Sequence, residues 1–399
     1  MIVVQRFFYR AKSTLLKLAL ALVPRSKPML LLGPDSSRRL CQTIAQSGFR
    51  KVLIVTDKPL IELGLIEPLY AELRESGVDA VIFDGVEPDP SDIIVTAGTT
   101  LARQAVCDAV LAVGGGSSID AAKIISVSAN SDTDPLRKQL PIMRSGLALF
   151  AVPTTAGTGS EVTVGAVITD SSTHTKRGLG GPGLVPMAAA LDPLLMQNLP
   201  PHITAATGMD ALTHAIEAYI GTWNSSETDK YALAAARLIF NNLPRAFQHG
   251  DDLQAREAMA IASSYAGFAI NATFVGYTHA IAHQLGAQYG VPHGLANAVV
   301  LPHVLAFSKE AAAARMAQLA RFAGLGNDDD SDQLLAQKLI DRVIELSRLL
   351  GIPEQLAQVK AVDFPRLIRA ALKEGAGYPV PIYLDAADCD DILNKVAMA

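Results

Sequence analysis

Between Met29 and Leu191 the chain alternates short apolar runs with longer amphipathic stretches. Met29–Leu32, Lys51–Thr56, Ala80–Phe83, Ala109–Val113, Ala148–Val152 and Ala188–Leu191 read as strands. Their consecutive Val, Ile, Leu and Ala residues suit strands covered on both faces, which predicts a parallel sheet between helices. Helical spacing over Ser36–Ser47, Ile66–Ser76 and Ser91–Val106, and from the Gly114–Asp120 turn to Asn130, supplies the crossovers. Gly48 and Gly77 stop the first two. Val162–Thr169 and Thr173–Leu179 read as a hairpin that turns at Asp170-Ser-Ser. Beyond Leu199-Pro200-Pro201 strand signals vanish. Helical periodicity then covers 204–221, 228–248, 252–270, 277–289, 294–306, 310–324, 332–350, 364–374 and 387–397. The pattern divides the chain into an α/β domain over 28–199 and an all-helical domain over 200–399.

Residues 1–27 stand apart. They carry Arg6, Arg10, Lys12, Lys17, Arg25 and Lys27 and no acid, with a leucine-rich run after Ser13. Without those six the chain has 28 basic against 39 acidic residues, a net charge of −11. An amphipathic helix packed on its own domain or on a partner subunit, and peripheral membrane contact through residues 1–23, both fit. A cleaved secretory signal is a third reading. Lys17 and the absence of a small-x-small site speak against it, and the apolar run is too short to span a bilayer.

Composition narrows the class. Half of the 399 residues are hydrophobic and only 18% are charged, which suits a large buried core and excludes disorder. The body has no basic patch with interleaved aromatics, so nucleic acid is not an expected partner. Cys41, Cys107 and Cys389 are widely spaced, form no CxxC pair, and read as buried thiols of a reducing, cytoplasmic compartment.

The chemistry concentrates in two places. Of the eight histidines, His214, His279, His283 and His293 lie between Gly208 and Gly294. Asp210 and His214 are four residues apart, as are His279 and His283, which puts each pair on one helix face. A carboxylate with several imidazoles suits a divalent first-row metal. Glu217, Tyr219 and Tyr265 read as packing or outer hydrogen-bonding partners, and His174, His202, His249 and His303 as surface or structural residues. The strand exits form the second place. Asp57 suits either a helix N-cap or a ribose, whose 2′-phosphate it would repel. Gly114, Gly115, Gly116, Ser117 and Ser118 follow a strand and open a helix, the position of a phosphate cradle or of a plain tight turn. The spacing is neither GxGxxG nor GxxxxGK[ST]. Thr154, Thr155, Thr158 and Ser160 form a second hydroxyl-rich exit, and Lys176 on the hairpin faces either a nucleotide or solvent.

Four motifs carry a resemblance: Gly-Gly-Gly-Ser-Ser-Ile-Asp at 114–120, Pro-Thr-Thr-Ala-Gly-Thr-Gly-Ser-Glu at 153–161, Gly-Met-Asp-Ala-Leu-Thr-His-Ala-Ile-Glu at 208–217, and His-Ala-Ile-Ala-His…Pro-His-Gly at 279–294. In order and spacing they resemble the iron-containing (group III) alcohol dehydrogenases, from about residue 28 to the C-terminus. The resemblance implies the dehydroquinate synthase-like fold: an α/β dinucleotide-binding domain, an all-α metal-binding domain, and an active site in the cleft between them. It assigns the metal, Fe²⁺ or alternatively Zn²⁺, to Asp210, His214, His279 and His293. It places His283 near the substrate, where an imidazole can relay the alcohol proton. It gives NAD the residues Asp57, Gly114–Ser118, Asp120, Thr154, Thr155, Thr158 and Lys176. Gly165 matches a position where some diol-acting relatives carry a polar side chain, and Phe268, Phe274 and Tyr277 are expected to line an apolar mouth. The implied activity is hydride transfer between NAD(H) and a primary alcohol or aldehyde of modest size, by a homo-oligomer, a dimer. A polyol dehydrogenase, a hydroxyacid–oxoacid transhydrogenase and a dehydroquinate synthase-like lyase are the alternatives within the superfamily. A membrane-surface scaffold that keeps only the fold is the alternative outside enzymes.

Overall fold

The computed structural model describes residues 2–21, 26–130, 136, 141–173, 175–327 and 329–398. His174 lies outside them. The chain forms two compact units, Val23–Leu199 with Asp251–Ser264, and Met1–Leu22 with Pro200–Gly250 and Tyr265–Ala399. The long cut falls at Leu199/Pro200. Two segments cross it: the N-terminal helix belongs to the helical unit, and 251–264 belongs to the α/β unit although its periodicity is helical.

In the α/β unit the strands are β1 (Met29–Leu32), β2 (Lys51–Val55), β3 (Asp79–Phe83), β4 (Ala109–Gly114), β5 (Ala148–Pro153), β6 (Gly165–Asp170), β7 (Thr175–Gly180) and β8 (Ala188–Leu191). Six form a sheet in the order β1-β8-β5-β4-β2-β3, every pairing parallel. β6 and β7 form the separate antiparallel hairpin. Alternate residues of each strand feed two cores. Leu53, Val110, Ala112, Leu149 and Ala151 face one side, and Val52, Ile54, Leu111, Phe150 and Val152 the other. With both faces buried, β4, β5 and β8 have no charged position, and the charged residues of the sheet, Lys51 and Asp79, stand at the first positions of β2 and β3.

The helices run in chain order: α1 (Ile2–Ala21), α2 (Ser36–Gln46), α3 (Lys58–Glu62), α4 (Glu67–Glu75), α5 (Asp92–Gln104), α6 (Gly116–Ala129), α7 (Pro201–Ile220), α8 (Ser226–Gln248), α9 (Leu253–Thr273), α10 (Tyr277–Tyr289), α11 (His293–Phe322), α12 (Asp332–Leu349), α13 (Phe364–Gly375) and α14 (Ala386–Val396). The short α3 escapes the periodicity because five residues are too few to show one. The helices expected over 294–306 and 310–324 are one, α11. Its buried residues Leu301, Leu305, Ser308, Ala312, Met316 and Leu319 recur every three or four positions straight through the expected break. Packing on that stripe outweighs the weak propensities of Phe307 and Ser308. The first hairpin arm starts at Gly165 rather than Val162, because Ser160–Val162 forms a single tight helical turn.

Candidate metal centre and nucleotide cradle

Helix α7 is buried along nearly its whole length and carries Asp210 and His214 on one face. α10 contributes His279, and α11 opens on His293 after Pro292. Gly294 lets α11 approach α7. A Cβ there would meet the Ala206 carbonyl oxygen at 2.2 Å and Asp210 Cβ at 3.4 Å. One candidate ligand atom from each of Asp210, His214, His279 and His293 lies within 4.8 Å of all the others. From Asp210 Oδ1 the distances to Nε2 of His293, His279 and His214 are 3.4, 3.7 and 4.0 Å. The rings of His214 and His279 stack with centroids 4.6 Å apart. These four residues are the metal set implied by the sequence, and the structure brings them together.

The donor set fits a divalent ion on a second ground. His279 Nε2 is buried and has no hydrogen-bond partner among the described residues. An imidazole nitrogen without a partner is costly to bury, and coordination satisfies it. The opposite nitrogen is held firmly: His279 Nδ1 donates to Glu217 Oε2 at 2.7 Å. Glu217 also accepts from the backbone N–H groups of Gly276, at 2.6 Å, and Thr278, at 2.7 Å. Glu217, one turn beyond His214 on α7, thus fixes the tautomer that leaves Nε2 free for a metal. Asn297 Nδ2 donates to Asp210 Oδ1 at 2.7 Å and holds that carboxylate.

His283 lies one turn along α10 from His279 and stacks on His293, centroids 5.2 Å apart. Its Nδ1 meets Glu374 Oε1 of α13 at 2.6 Å. Gln284 and Tyr378 donate to the same carboxylate at 2.8 Å each. Sequence reasoning missed Asn297 and Glu374, because neither stands in a motif that marks it.

Electrostatics follow from these contacts. Burial alone would raise the Asp210 carboxyl, but the surrounding imidazoles outweigh it and hold it well below the usual range. Glu217 is likewise penalised by burial and held low by His279 and by its backbone donors. Burial disfavours a charged His279, yet Glu217 and Asp210 overcome it and raise the ring to about 9. Burial lowers His293 to about 3, against the pull of Asp210.

In the α/β unit the parallel register lines up the carboxyl ends of β2, β4 and β5. Gly114 pairs with Pro153, and Val55 with Ala112. Asp57, Gly114–Ser118 and Thr154–Thr158 therefore share one edge. Asp57 caps α3, accepting from Leu60 N–H at 3.1 Å, and its other oxygen is 3.4 Å from Ser118 Oγ. Gly114 has φ 154°, and a Cβ there would strike Ser118 Oγ at 2.5 Å. A Cβ on Gly116 would meet Thr158 at 2.7 Å, and one on Gly115 would meet Thr155 at 3.5 Å. Gly114 and Gly116 thus leave no room for a Cβ, whereas Gly115 is in ordinary contact, and the first N–H groups of α6, at this turn, have no partner within the helix.

Other sequence-assigned residues serve the cradle from behind. Asp120 accepts from Ser160 Oγ at 2.5 Å and from Val167 N–H at 2.9 Å, so its two oxygens tie the turn at Ser160 to strand β6. Lys123, which the sequence reading passed over, is fully buried. It donates to Ser160 Oγ at 2.9 Å, Thr163 Oγ1 at 3.0 Å and the Gly165 carbonyl at 2.5 Å. Lys176 is engaged by Asp89 at 2.6 Å. The Phe268 ring packs at a tilt against Tyr231, with centroids 5.2 Å apart. Phe274 lies edge-on to Trp223, and Tyr277 is buried edge-on to Tyr383. Tyr277 is a core residue, and its ring fills the space in front of Gly375.

Comparison with known proteins matches both units. The model of the iron-containing alcohol dehydrogenases covers residues 28–193, and that of the C-terminal part of the Fe-containing alcohol dehydrogenase family covers 204–397. The chain is 42% identical over 361 residues to the 1,3-propanediol dehydrogenase of Citrobacter freundii, across 88% of this chain and 92% of that one. It is 38% identical to the NAD-dependent methanol dehydrogenase of Bacillus methanolicus, across 92% and 98% of the two chains. Among solved structures, a 1,3-propanediol oxidoreductase superposes with a TM-score of 0.90 at 39% identity, over 94% of this chain and all of that one. Two family models that together cover most of residues 28–397, and relatives this similar over nearly their whole length, place the chain in the iron-containing alcohol dehydrogenase family.

Proposed function

We propose that this protein is an NAD-linked, metal-dependent dehydrogenase that interconverts a primary alcohol of modest size and its aldehyde, with iron as the metal and zinc as the alternative. The observation that carries the reading is the cluster of one carboxylate and three imidazoles, with a buried Nε2 of His279 that coordination would satisfy. Asp210, His214, His279 and His293 would hold the ion. The ion supplies Lewis-acid polarisation of the alcohol or carbonyl oxygen, and NAD at the glycine cradle supplies the hydride acceptor.

The chain's own residues do the rest. Glu217 and Asn297 fix the orientation of His279 and Asp210. His283, held by Glu374 at Nδ1, presents its other ring nitrogen to accept the alcohol proton. Asp57 accepts the ribose hydroxyls and disfavours a 2′-phosphate, while Thr154, Thr155, Thr158 and the α6 N-terminus receive the pyrophosphate. Asp120 and Lys123 hold that loop in shape.

A short terminal diol is a second substrate reading, favoured by the similarity to 1,3-propanediol dehydrogenases. A diol carries the same primary alcohol. Gly165 adds no side chain to recognise the second hydroxyl, and its Cβ position meets only the Leu179 carbonyl at 3.9 Å. A homodimer in a reducing, cytoplasmic compartment completes the reading. It is supported by Met29 and Leu32, exposed on edge strand β1, and by three buried free cysteines.

The test is NADH oxidation against a panel of aldehydes, using metal-free protein to which Fe²⁺ or Zn²⁺ is restored. Turnover of short aldehydes that returns with metal is expected. No metal-dependent turnover of any aldehyde or ketone would sink the reading. Light scattering of the same preparation measures the subunit number.

A further inference from the structure

Helix α1 lies outside both family matches, the earlier of which starts at residue 28. Its inner side is nonetheless fastened to the segment that supports His283. Ser13 is buried, and its Oγ accepts from Trp223 Nε1 at 2.9 Å. An indole N–H only donates, so the hydroxyl proton of Ser13 is left for another acceptor. That partner is the hydroxyl of Tyr383, also buried. Tyr383 directs its own proton to the Tyr378 carbonyl, at 3.1 Å. Donors therefore point one way along Trp223, Ser13, Tyr383 and Tyr378, and each link of such a chain polarises the next. One turn before Ser13, the Tyr9 ring lies 5.4 Å from that of Tyr383, which also meets Tyr277, the first residue of α10, at 6.5 Å. Lys12 lies along Gly377, where a Cβ would meet its Cε at 3.5 Å. The Pro379 carbonyl accepts from Thr222 N–H at 2.6 Å. Residues 377–383 are thus held by α1 and by the turn that follows α7.

What this segment presents is Tyr378. Its hydroxyl donates to Glu374 Oε1 at 2.8 Å, the same oxygen that meets His283 Nδ1 at 2.6 Å, while Gln284 donates to Oε2 at 2.8 Å. A carboxylate oxygen has two lone pairs and accepts both donors. Without the phenol, only Gln284 and His283 itself restrain the carboxylate. The phenol keeps its proton, because burial and Glu374 push Tyr378 far above the usual tyrosine range. We infer that α1 is a positioning element of the active site, an assignment that rests on His283 as the proton acceptor. Through Ser13 and Tyr9 the helix holds residues 377–383, Tyr378 then fixes Glu374, and Glu374 fixes the ring of His283. Turnover in this chain accordingly depends on a helix that precedes both family matches.

Ser13→Ala, Tyr378→Phe and the double variant of the full-length, metal-loaded enzyme are compared with wild type in steady-state aldehyde reduction, well below the melting temperature of each. Tyr378→Phe should lower kcat by about two- to tenfold, the size of one net hydrogen bond. Ser13→Ala should lower it in the same direction, with KM for NADH and bound metal as in wild type. The double variant should be no slower than Tyr378→Phe alone, because both changes act through one path. A merely structural role for α1 would lower the melting temperature of Ser13→Ala and leave its kcat as in wild type, and that result overturns the inference. So does a loss carried by KM for NADH or by metal content instead of kcat, and so do single effects that multiply in the double variant. Glu374→Gln, measured alongside, separates the two readings. If it lowers kcat while Ser13→Ala or Tyr378→Phe does not, α1 has no positioning role. If it too leaves kcat unaltered, His283 is not the proton acceptor and neither role stands.

Discussion

Replacing Glu217 by Gln tests the metal centre at its support rather than at a ligand. The carboxylate accepts three N–H groups, with Oε2 serving His279 Nδ1 and Gly276 and Oε1 serving Thr278. Glutamine has nearly the same shape but only one acceptor. If its oxygen takes the Oε2 position, its amide nitrogen faces the Thr278 N–H, and one buried donor is orphaned at a cost of about 1–3 kcal/mol. If it is turned round, the amide nitrogen faces His279. The ring must then accept at Nδ1 and carry its proton on Nε2, where no metal can bind. The first arrangement is cheaper, but it still loses the charge that raises the basicity of His279. Such outer partners typically contribute 10- to 100-fold in metal affinity, roughly 1.4–2.8 kcal/mol. The assay is a chelator-competition titration with Zn²⁺ on wild type and Glu217→Gln, beside thermal melts of both metal-free proteins. The reasoning predicts a weaker ion and a modestly less stable fold. A variant that binds the ion within about threefold of wild type would refute it, since the effect assigned to the outer partner starts at about tenfold.

Four further outcomes follow from the same geometry. Coordination needs a neutral His279, and Glu217 and Asp210 raise its pKa from 6.5 to about 9. In metal-free protein that interaction stabilises fully below pH 6.5 and is lost as pH rises through about 9; metal affinity should climb across the same window, and a flat profile contradicts it. Asp57→Asn keeps the cap on α3 and removes the charge, so NADP turnover relative to NAD should rise by about tenfold with little change in melting temperature; unchanged selectivity takes Asp57 away from the ribose. Lys123→Met leaves Asp120 and Glu161 buried without their cation and should cost about 3–5 kcal/mol in denaturant unfolding, whereas a loss near zero means that both carboxyls are neutral in the fold. Glu374→Gln loosens His283 and should lower kcat by about tenfold or more with metal content unchanged; an unaltered kcat removes His283 from proton transfer.

The six parallel strands were legible because burial on both faces forces apolar residues at consecutive positions. Ala109–Val113 and Ala148–Val152 each fall one residue short of the observed strand. Helix ends were legible where glycine or proline punctuates them. The Asp210/His214 and His279/His283 pairs were legible because four-residue spacing fixes a shared helix face whatever the helix packs against. The continuity of α11 was not legible, since a residue of weak propensity ends a helix only where packing does not hold it. The placement of 251–264 was hidden for a related reason. Periodicity says that a face is buried and is silent about what buries it.

The sequence by itself therefore determined the order of the strands, the two classes of structure, and which side chains have metal or phosphate chemistry to offer. Tertiary structure decided which of them meet. It drew α7, α10 and α11 together at Gly294, set Glu217 and Asn297 behind the ligands, brought Glu374 from 91 residues away to His283, and turned Asp120 to brace Ser160 and Val167. The physical reason is range. Local spacing governs the direction of a side chain within one helix turn or strand pleat. Convergence of groups far apart in the chain depends on how whole buried faces pack, and no single segment contains that information.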